Sequence, residues 1–116
     1  MGKRIVSLFF LYLLLIFYLS SIPNLHLKNV IYFQDLFLHC IEYSGLTVLA
    51  YYSYLFKDIP SILLFVELFA FSDEFHQFFV PGRTFSFLDF LADFIGAILC
   101  LIVIIKYKEK IYGERN

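Results

Sequence analysis

The sequence predicts an all-α integral membrane protein in which four transmembrane helices form a compact bundle. Of its 116 residues 61% are apolar, and its mean hydropathy is +0.80. Soluble proteins contain about 45–50% apolar residues. The chain also has 16 Phe and nine Tyr but no Trp, and abundant aromatic side chains suit lipid-facing helices and membrane interfaces. The length leaves room for a single domain, residues 1–116.

Charge and cysteine content exclude two classes of function. The net charge is −1, and basic residues form no stripe outside the two ends of the chain, so we expect no nucleic-acid partner. Cys40 and Cys100 both lie in apolar segments, and two cysteines are too few for a disulfide or metal framework. We interpret them as small residues that pack between helices.

The first helix is predicted over residues about 5–22, a stretch without a charged side chain that is long enough to cross the hydrocarbon of a bilayer. Lys3 and Arg4 precede it, as in a signal peptide. However, the apolar stretch is longer than the usual signal core, and Ser20-Ser21-Ile22-Pro23 is a poor cleavage site. We therefore expect a retained helix.

Three further helices are predicted over residues about 34–56, 59–79 and 86–105. Pro60 suits the first turn of the third helix, where the missing N–H is not needed. The fourth ends in a basic segment with Lys106, Lys108 and Lys110. The connections between the segments are short, which favours a compact bundle.

The distribution of basic residues predicts that both termini are cytoplasmic. This orientation leaves only Lys28 and Arg83 on the outer face. The inner face then carries all the other basic residues, Lys3, Arg4, Lys57, Lys106, Lys108, Lys110 and Arg115. Such an excess of cytoplasmic Lys and Arg is typical of multi-pass membrane proteins.

Ionisable residues lie within or beside three of the predicted helices, and the topology brings them to one depth near the outer surface. A charge in hydrocarbon costs about 3 kcal/mol or more unless it is paired or faces a wet cavity, so these residues mark a candidate site. They could carry acid/base or metal chemistry: Asp35, His39, Glu42, Asp73, Glu74, Gln77, Asp89 and Asp93. A second set could bind a ligand or its anionic group: Arg83, Tyr43, His76 and Ser86.

Helical spacing supports this convergence. Asp35, His39, Glu42 and Tyr43 follow the spacing i, i+4, i+7 and i+8, which is one stripe of a helix. A second stripe contains Asp89, Asp93, Gly96 and Cys100, and Ala92, Gly96 and Cys100 form a track of small residues that allows close helix approach. Glu67 lies near the predicted middle of the bilayer, and we do not assign it to the site.

Three motifs of this chain resemble those of the VanZ-like family of small membrane proteins. They are Asp35-x-x-x-His39-x-x-Glu42-Tyr43, Asp73-Glu74-x-His76-Gln77-x-Phe79-x-Pro81-Gly82-Arg83 and Ser86-x-x-Asp89-x-x-x-Asp93-x-x-Gly96. The resemblance extends over residues about 21–101. It implies a multi-pass protein of the bacterial plasma membrane and a link with resistance to teicoplanin, a lipid-bearing glycopeptide. It implies no particular reaction.

Three interpretations of the polar residues stay open at this point. In the first, an outward-facing pocket binds an amphiphile, a lipid headgroup or a cell-envelope intermediate, with Arg83 and Lys28 attracting an anion and Phe75, Phe78 and Phe79 meeting an acyl chain. In the second, the protein is an enzyme that acts on a lipid or lipid phosphate by acid/base or metal chemistry. A divalent metal is a possible cofactor because imidazole and carboxylate groups are available, although no familiar metal-binding spacing is present.

The third interpretation is structural. Arg83 could pair with Asp73, Glu74 or Asp89, and His39 with Asp35 or Glu42, so that the charges only hold three helices in register. Ser86-x-x-Asp89 resembles a capping box, and Tyr43 could be an interfacial aromatic residue. Asp93 and Glu74 fit this interpretation least well, because neither lies at a helix cap. The sequence pattern does not indicate which oligomeric state the protein has.

Overall fold

A computed structural model describes residues 2–22, 32–81 and 87–114, without the side chains of residues 32–35 and 111–114. These residues form four α-helices and no strand: α1 Gly2–Ser20, α2 Tyr32–Ser53, α3 Ile59–Phe78 and α4 Phe87–Glu114. The predicted all-α, four-helix architecture is therefore confirmed for this part of the chain. Helix α1 already includes Lys3 and Arg4, and α4 continues to Glu114, well beyond the end near residue 105 that the sequence suggested.

The connection between α2 and α3 shows how local sequence sets helix ends. Tyr54, which follows the last residue of α2, has a φ of 59°, a left-handed conformation common just after helix C-termini. Asp58 caps α3 by accepting hydrogen bonds from the backbone N–H of Ser61 at 2.9 Å and from its hydroxyl at 2.6 Å. These bonds favour the ionised carboxylate and lower the pKa of Asp58. Pro60 occupies the first turn, as predicted.

Helices α2 and α4 run in the same direction and pack along most of their length. Their contacts show this, because later residues of α2 meet later residues of α4. The Cys40 thiol donates to the carbonyl of Ala92 at 3.1 Å. One turn further along α2, the Ser44 hydroxyl donates to the carbonyl of Gly96 at 3.0 Å. Near the other end of both helices, the Lys108 ammonium lies 4.5 Å from the centre of the Tyr51 ring.

The end of the bundle away from the predicted polar residues is filled by apolar side chains. The ring of Phe9 from α1 lies 6.0 Å from that of Phe56 and 5.7 Å from that of Phe65. Leu46 and Val66 are fully buried in the same cluster. This packing joins α1, α2 and α3 below the polar groups.

Large apolar side chains also cover the outside of the bundle. On α1, Leu11, Leu14 and Tyr18 are each at least 60% exposed, and contiguous apolar surface of this kind is typical of lipid contact. Among the described helices, α1 and α4 are long and apolar enough to cross a membrane. That all four helices cross it, and that the termini are cytoplasmic, stay predictions.

Candidate functional site

A buried histidine between two aspartates forms the centre of the polar cluster. His39 projects from α2 so that its Nδ1 lies 3.0 Å from Oδ1 of Asp93 on α4. Its Nε2 lies 3.7 Å from Oδ2 of Asp89, one turn earlier on α4. Asp89 and Asp93 share a face because they are four residues apart. Both ring nitrogens of His39 therefore face carboxylates.

Helix α3 completes the cluster from the other side. The Tyr43 hydroxyl, one turn after His39 on α2, donates to Oδ2 of Asp73 at 3.2 Å. The side-chain amide of Gln77 approaches the same oxygen at 3.5 Å, from the next turn of α3. Tyr43 is 0% exposed, so it is a buried hydrogen-bond donor and not an interfacial aromatic residue.

Glu74 of α3 lies next to the pair formed by His39 and Asp93. It is 0% exposed, as is Asp93, while Asp73 and Asp89 are at most 5% exposed. One ligand atom from each of His39, Glu74 and Asp93 lies within 4.8 Å of the others, which makes these three a possible metal-binding group among the described residues. Imidazole and carboxylate donors together suit zinc or another divalent transition ion.

The cluster combines four buried carboxyl side chains, those of Asp73, Glu74, Asp89 and Asp93, with the buried imidazole of His39. Among all the residues that the structure describes, His39 is the one buried basic side chain, and the other basic side chains are exposed or half-buried. Oδ2 of Asp93 is buried and has no hydrogen-bond partner among the described residues. A buried polar atom left unsatisfied costs about 1–3 kcal/mol, and more when it is charged. The buried Oδ2 of Asp93 could therefore accept a hydrogen bond from a bound ligand or coordinate a cation.

Close packing of α2 against α4 brings His39 near Asp93. A Cβ added to Gly96 would overlap the carbonyl oxygen of Cys40 and would lie 2.9 Å from its Cα. The Cys100 thiol reaches the carbonyl of Ser44 at 3.5 Å, one turn further along. The predicted track of small residues and the packing role of the two cysteines agree with these contacts. Neither cysteine forms a disulfide bond.

The other predicted site residues have different positions. Glu42 is half-buried, and its charge acts on His39, Tyr43 and Asp93, which places it at the edge of the cluster. Asp35 belongs to α2, but its side chain lies outside the described residues, as do Arg83 and Ser86.

His76 contacts the end of α1. Its ring stacks on Phe17 at a centroid distance of 4.4 Å, and its Nε2 lies 2.9 Å from the Ser21 hydroxyl. That hydroxyl donates its one proton to the carbonyl of Phe17, so it accepts a hydrogen bond from Nε2–H of His76. His76 thus joins α3 to α1.

Two serines at the end of α1, Ser20 and Ser21, were not among the predicted site residues. Ser20 is 3% exposed and Ser21 bonds to His76, so α1 also contributes polar groups at this end. A usable signal was present: Phe9, Ile16 and Ser20 are seven and four residues apart, on one helical face. All three are buried, which identifies the face that packs against the bundle.

Glu67 stands apart from the cluster. Both of its carboxylate oxygens are buried and have no hydrogen-bond partner among the described residues. It precedes Glu74 by seven residues, so it is about 10 Å further along α3. Its separate position agrees with leaving it out of the predicted site.

Comparison with known proteins identifies a protein family for this chain. The protein-family model described as VanZ/LLP1 matches residues 5–108. This range covers α2 and α3 entirely, most of α1 and α4, and every residue of the polar cluster. The searches among curated proteins and among solved structures found no match.

Proposed function

The chain belongs to the VanZ/LLP1 family, and we propose that it is a multi-pass membrane protein whose polar cluster binds the headgroup of an amphiphile. The observation that carries this proposal is the buried His39–Asp93 pair, surrounded by carboxylates that are at most 5% exposed. Ionisable groups at membrane depth are costly and usually serve function. All four helices cross the membrane in this proposal, with both termini in the cytoplasm of a bacterial cell.

The composition of the cluster indicates what it binds. Its described groups are mostly hydrogen-bond acceptors, and Oδ2 of Asp93 has no donor among the described residues. A headgroup with hydroxyl or amine donors would supply the missing bond. Sugars and amines of lipids and cell-envelope intermediates have this chemistry. At the end of α3 and just after it, Phe75, Phe78 and Phe79 are each more than 50% exposed and could contact the attached acyl chain.

The same geometry favours binding over catalysis by the histidine. A general base needs a ring nitrogen within hydrogen-bond reach of the substrate, but Nδ1 and Nε2 of His39 both face aspartates. The enzyme alternative therefore assigns proton transfer to a carboxylate such as Glu74 and leaves His39 to orient Asp93. Loss of a lipid substrate in membranes that contain the protein, detected by lipid mass spectrometry, would favour this alternative.

Native mass spectrometry of the purified full chain tests the binding proposal. The probes are a glycosyl diacylglycerol, phosphatidylethanolamine and phosphatidylcholine, which has no donor in its headgroup. We expect the first two to bind at least tenfold more tightly than the third, because only they offer hydrogen-bond donors. Teicoplanin is a fourth probe, because the motifs of this chain resemble those of the family linked with teicoplanin resistance.

A matched pair of variants assigns the binding to the cluster. Asp93→Asn should remove the selectivity for donor-bearing lipids, whereas Asp58→Asn makes the same chemical change at an exposed helix cap and should retain it. Equal lipid selectivity in the two variants would reject the pocket. If Asp93→Asn lowered the melting temperature and the wild type had no lipid preference, the structural interpretation would be correct.

A further inference from the structure

We infer that His39, Glu74 and Asp93 bind a divalent transition-metal ion, Zn²⁺ or Mn²⁺, in the centre of the polar cluster. Each residue comes from a different helix, and one ligand atom from each lies within 4.8 Å of the others. Ligand atoms around a tetrahedral zinc ion are about 3.4 Å apart, given bonds near 2.1 Å. A small inward movement of these side chains would therefore form the site.

The inference also has support from Asp93 alone. This residue is 0% exposed, and its Oδ2 is buried without a hydrogen-bond partner among the described residues, although Oδ1 lies 3.0 Å from Nδ1 of His39. A separation of 3.0 Å between Nδ1 and Oδ1 is short enough for both atoms to contact one ion. A divalent cation would also attract the carboxylates of Glu74 and Asp93 and hold them at one point of the cluster.

Asp89 fits a supporting position in this arrangement. It lies 3.7 Å from Nε2, the ring nitrogen of His39 that points away from Asp93. Histidine ligands commonly donate their second N–H to a carboxylate, which fixes the tautomer and the ring orientation. With Nδ1 on the metal, Nε2–H would point to Asp89. Asp89 is thus a positioning residue, and His39, Glu74 and Asp93 are the ligands.

Three protein ligands leave a coordination position open, as in catalytic zinc sites. The inference rests on the proposed pocket and extends its range of ligands. Without metal, the carboxylates favour headgroups with hydrogen-bond donors. With metal, the open position would accept an anionic oxygen, such as that of a phosphate or carboxylate headgroup.

Metal titration of the purified full chain tests the inference directly. The protein is stripped with a chelator and then titrated separately with Zn²⁺, Mn²⁺ and Mg²⁺, with stoichiometry read by elemental analysis. We expect one Zn²⁺ or Mn²⁺ per chain and a higher melting temperature in its presence, since a ligand that binds only the folded state stabilises it. Mg²⁺, which prefers oxygen ligands in an octahedral arrangement, should bind at least tenfold more weakly.

Matched variants separate the metal site from general effects of charge. Glu74→Gln and Asp93→Asn should each weaken metal binding at least tenfold, while Glu109→Gln and Asp58→Asn change exposed acids and should leave it unchanged. Asp89→Asn should weaken binding about 10- to 100-fold, as for other groups that support a histidine ligand, and Asp89→Glu should restore part of it. The circular dichroism of each variant verifies its fold.

Several outcomes would overturn the inference. It fails if the reloaded wild type retains no Zn²⁺ or Mn²⁺, a result that does not depend on any variant folding. It also fails if Glu74→Gln and Asp93→Asn bind metal as tightly as the exposed-acid controls. Lipid selectivity that persists in the chelated protein would then show that the pocket stands without metal. Metal binding without lipid selectivity would reject the pocket proposal and leave the metal site.

Discussion

Gly96 and Gly45 both lie where helices approach closely, but their neighbours differ. A Cβ on Gly96 would meet the backbone of Cys40 across the α2–α4 contact and would lie 2.9 Å from the Cα of Cys40. A Cβ on Gly45 would meet the hydroxyl of Tyr12 at 2.7 Å, across the α1–α2 contact. Backbone cannot move without moving a whole helix, whereas the end of a tyrosine side chain can rotate.

The difference shows which part of the bundle sets the geometry of the polar cluster. Helices α2 and α4, which carry His39 and Asp93, are held at a fixed separation by backbone contact. Helix α1 is attached by side chains, chiefly Phe9, Tyr12 and Ser21. We therefore expect changes in the α2–α4 contact to disrupt binding and changes in the α1 contacts to affect mainly stability.

The largest expected effect comes from Gly96→Ala. The added methyl group forces α4 away from α2, at a cost of about 2–3 kcal/mol, and increases the separation of His39 and Asp93. Melting temperature in detergent and metal affinity should therefore fall together. Gly45→Ala is the matched control.

In that control the methyl group displaces only the Tyr12 ring, so about 1 kcal/mol should be lost, the value of one hydrogen bond. Metal and lipid binding should be unchanged. Retained metal affinity in Gly96→Ala, or equal effects of the two variants, would contradict the distinction between the contacts.

An intermediate effect is expected from removing one tyrosine hydroxyl, either inside the polar cluster or at the α1–α2 contact. Tyr43→Phe deletes the bond to Asp73, and Tyr12→Phe deletes the 2.6 Å bond to the carbonyl of Glu42. Each should cost about 1 kcal/mol or less in thermal unfolding experiments. Only Tyr43→Phe should also reduce metal and lipid affinity, by about fivefold if the full cost appears in binding. A binding loss in Tyr12→Phe would show that α1 takes part in the site.

The smallest effect is expected from Ser21→Ala. It removes the 2.9 Å contact with His76 but leaves the stacking of that ring on Phe17. The bond is only partly buried, so we expect a loss of about 0.5 kcal/mol. Proteolysis of the α1 end in detergent should become faster, with metal binding unchanged. Reduced metal binding in Ser21→Ala would connect His76 to the cluster.

Much of the architecture could be predicted from the sequence because hydropathy and helical spacing determine it. Four apolar segments gave four helices, and the stripes containing His39 and Asp93 correctly placed these two residues at one end of the bundle. The track of small residues around Gly96 predicted the close contact of α4. These features depend on sequence positions within a single helix.

Contacts between helices were harder to predict because they depend on how each helix is rotated and on which helices are neighbours. The structural interpretation paired His39 with Asp35 or Glu42 on its own helix, while the structure pairs it with Asp93 and Asp89. His76 was grouped with the residues that could bind a ligand, and nothing in the sequence pattern indicated that its ring would stack on Phe17 of α1. The length of α4 was also underestimated, because its basic end resembled a membrane boundary.

The unequal hydropathy of the helices has a consequence for biosynthesis. Helix α1 precedes the other three helices in the chain and is long and apolar enough to cross a membrane, whereas α2 and α3 do not meet that criterion. The two aspartates that contact His39 belong to α4, which is synthesised last. We expect the α2–α3 hairpin to settle in the bilayer only after α4 arrives. A chain truncated before Phe87 would then leave its acids facing lipid and be removed by quality-control proteases.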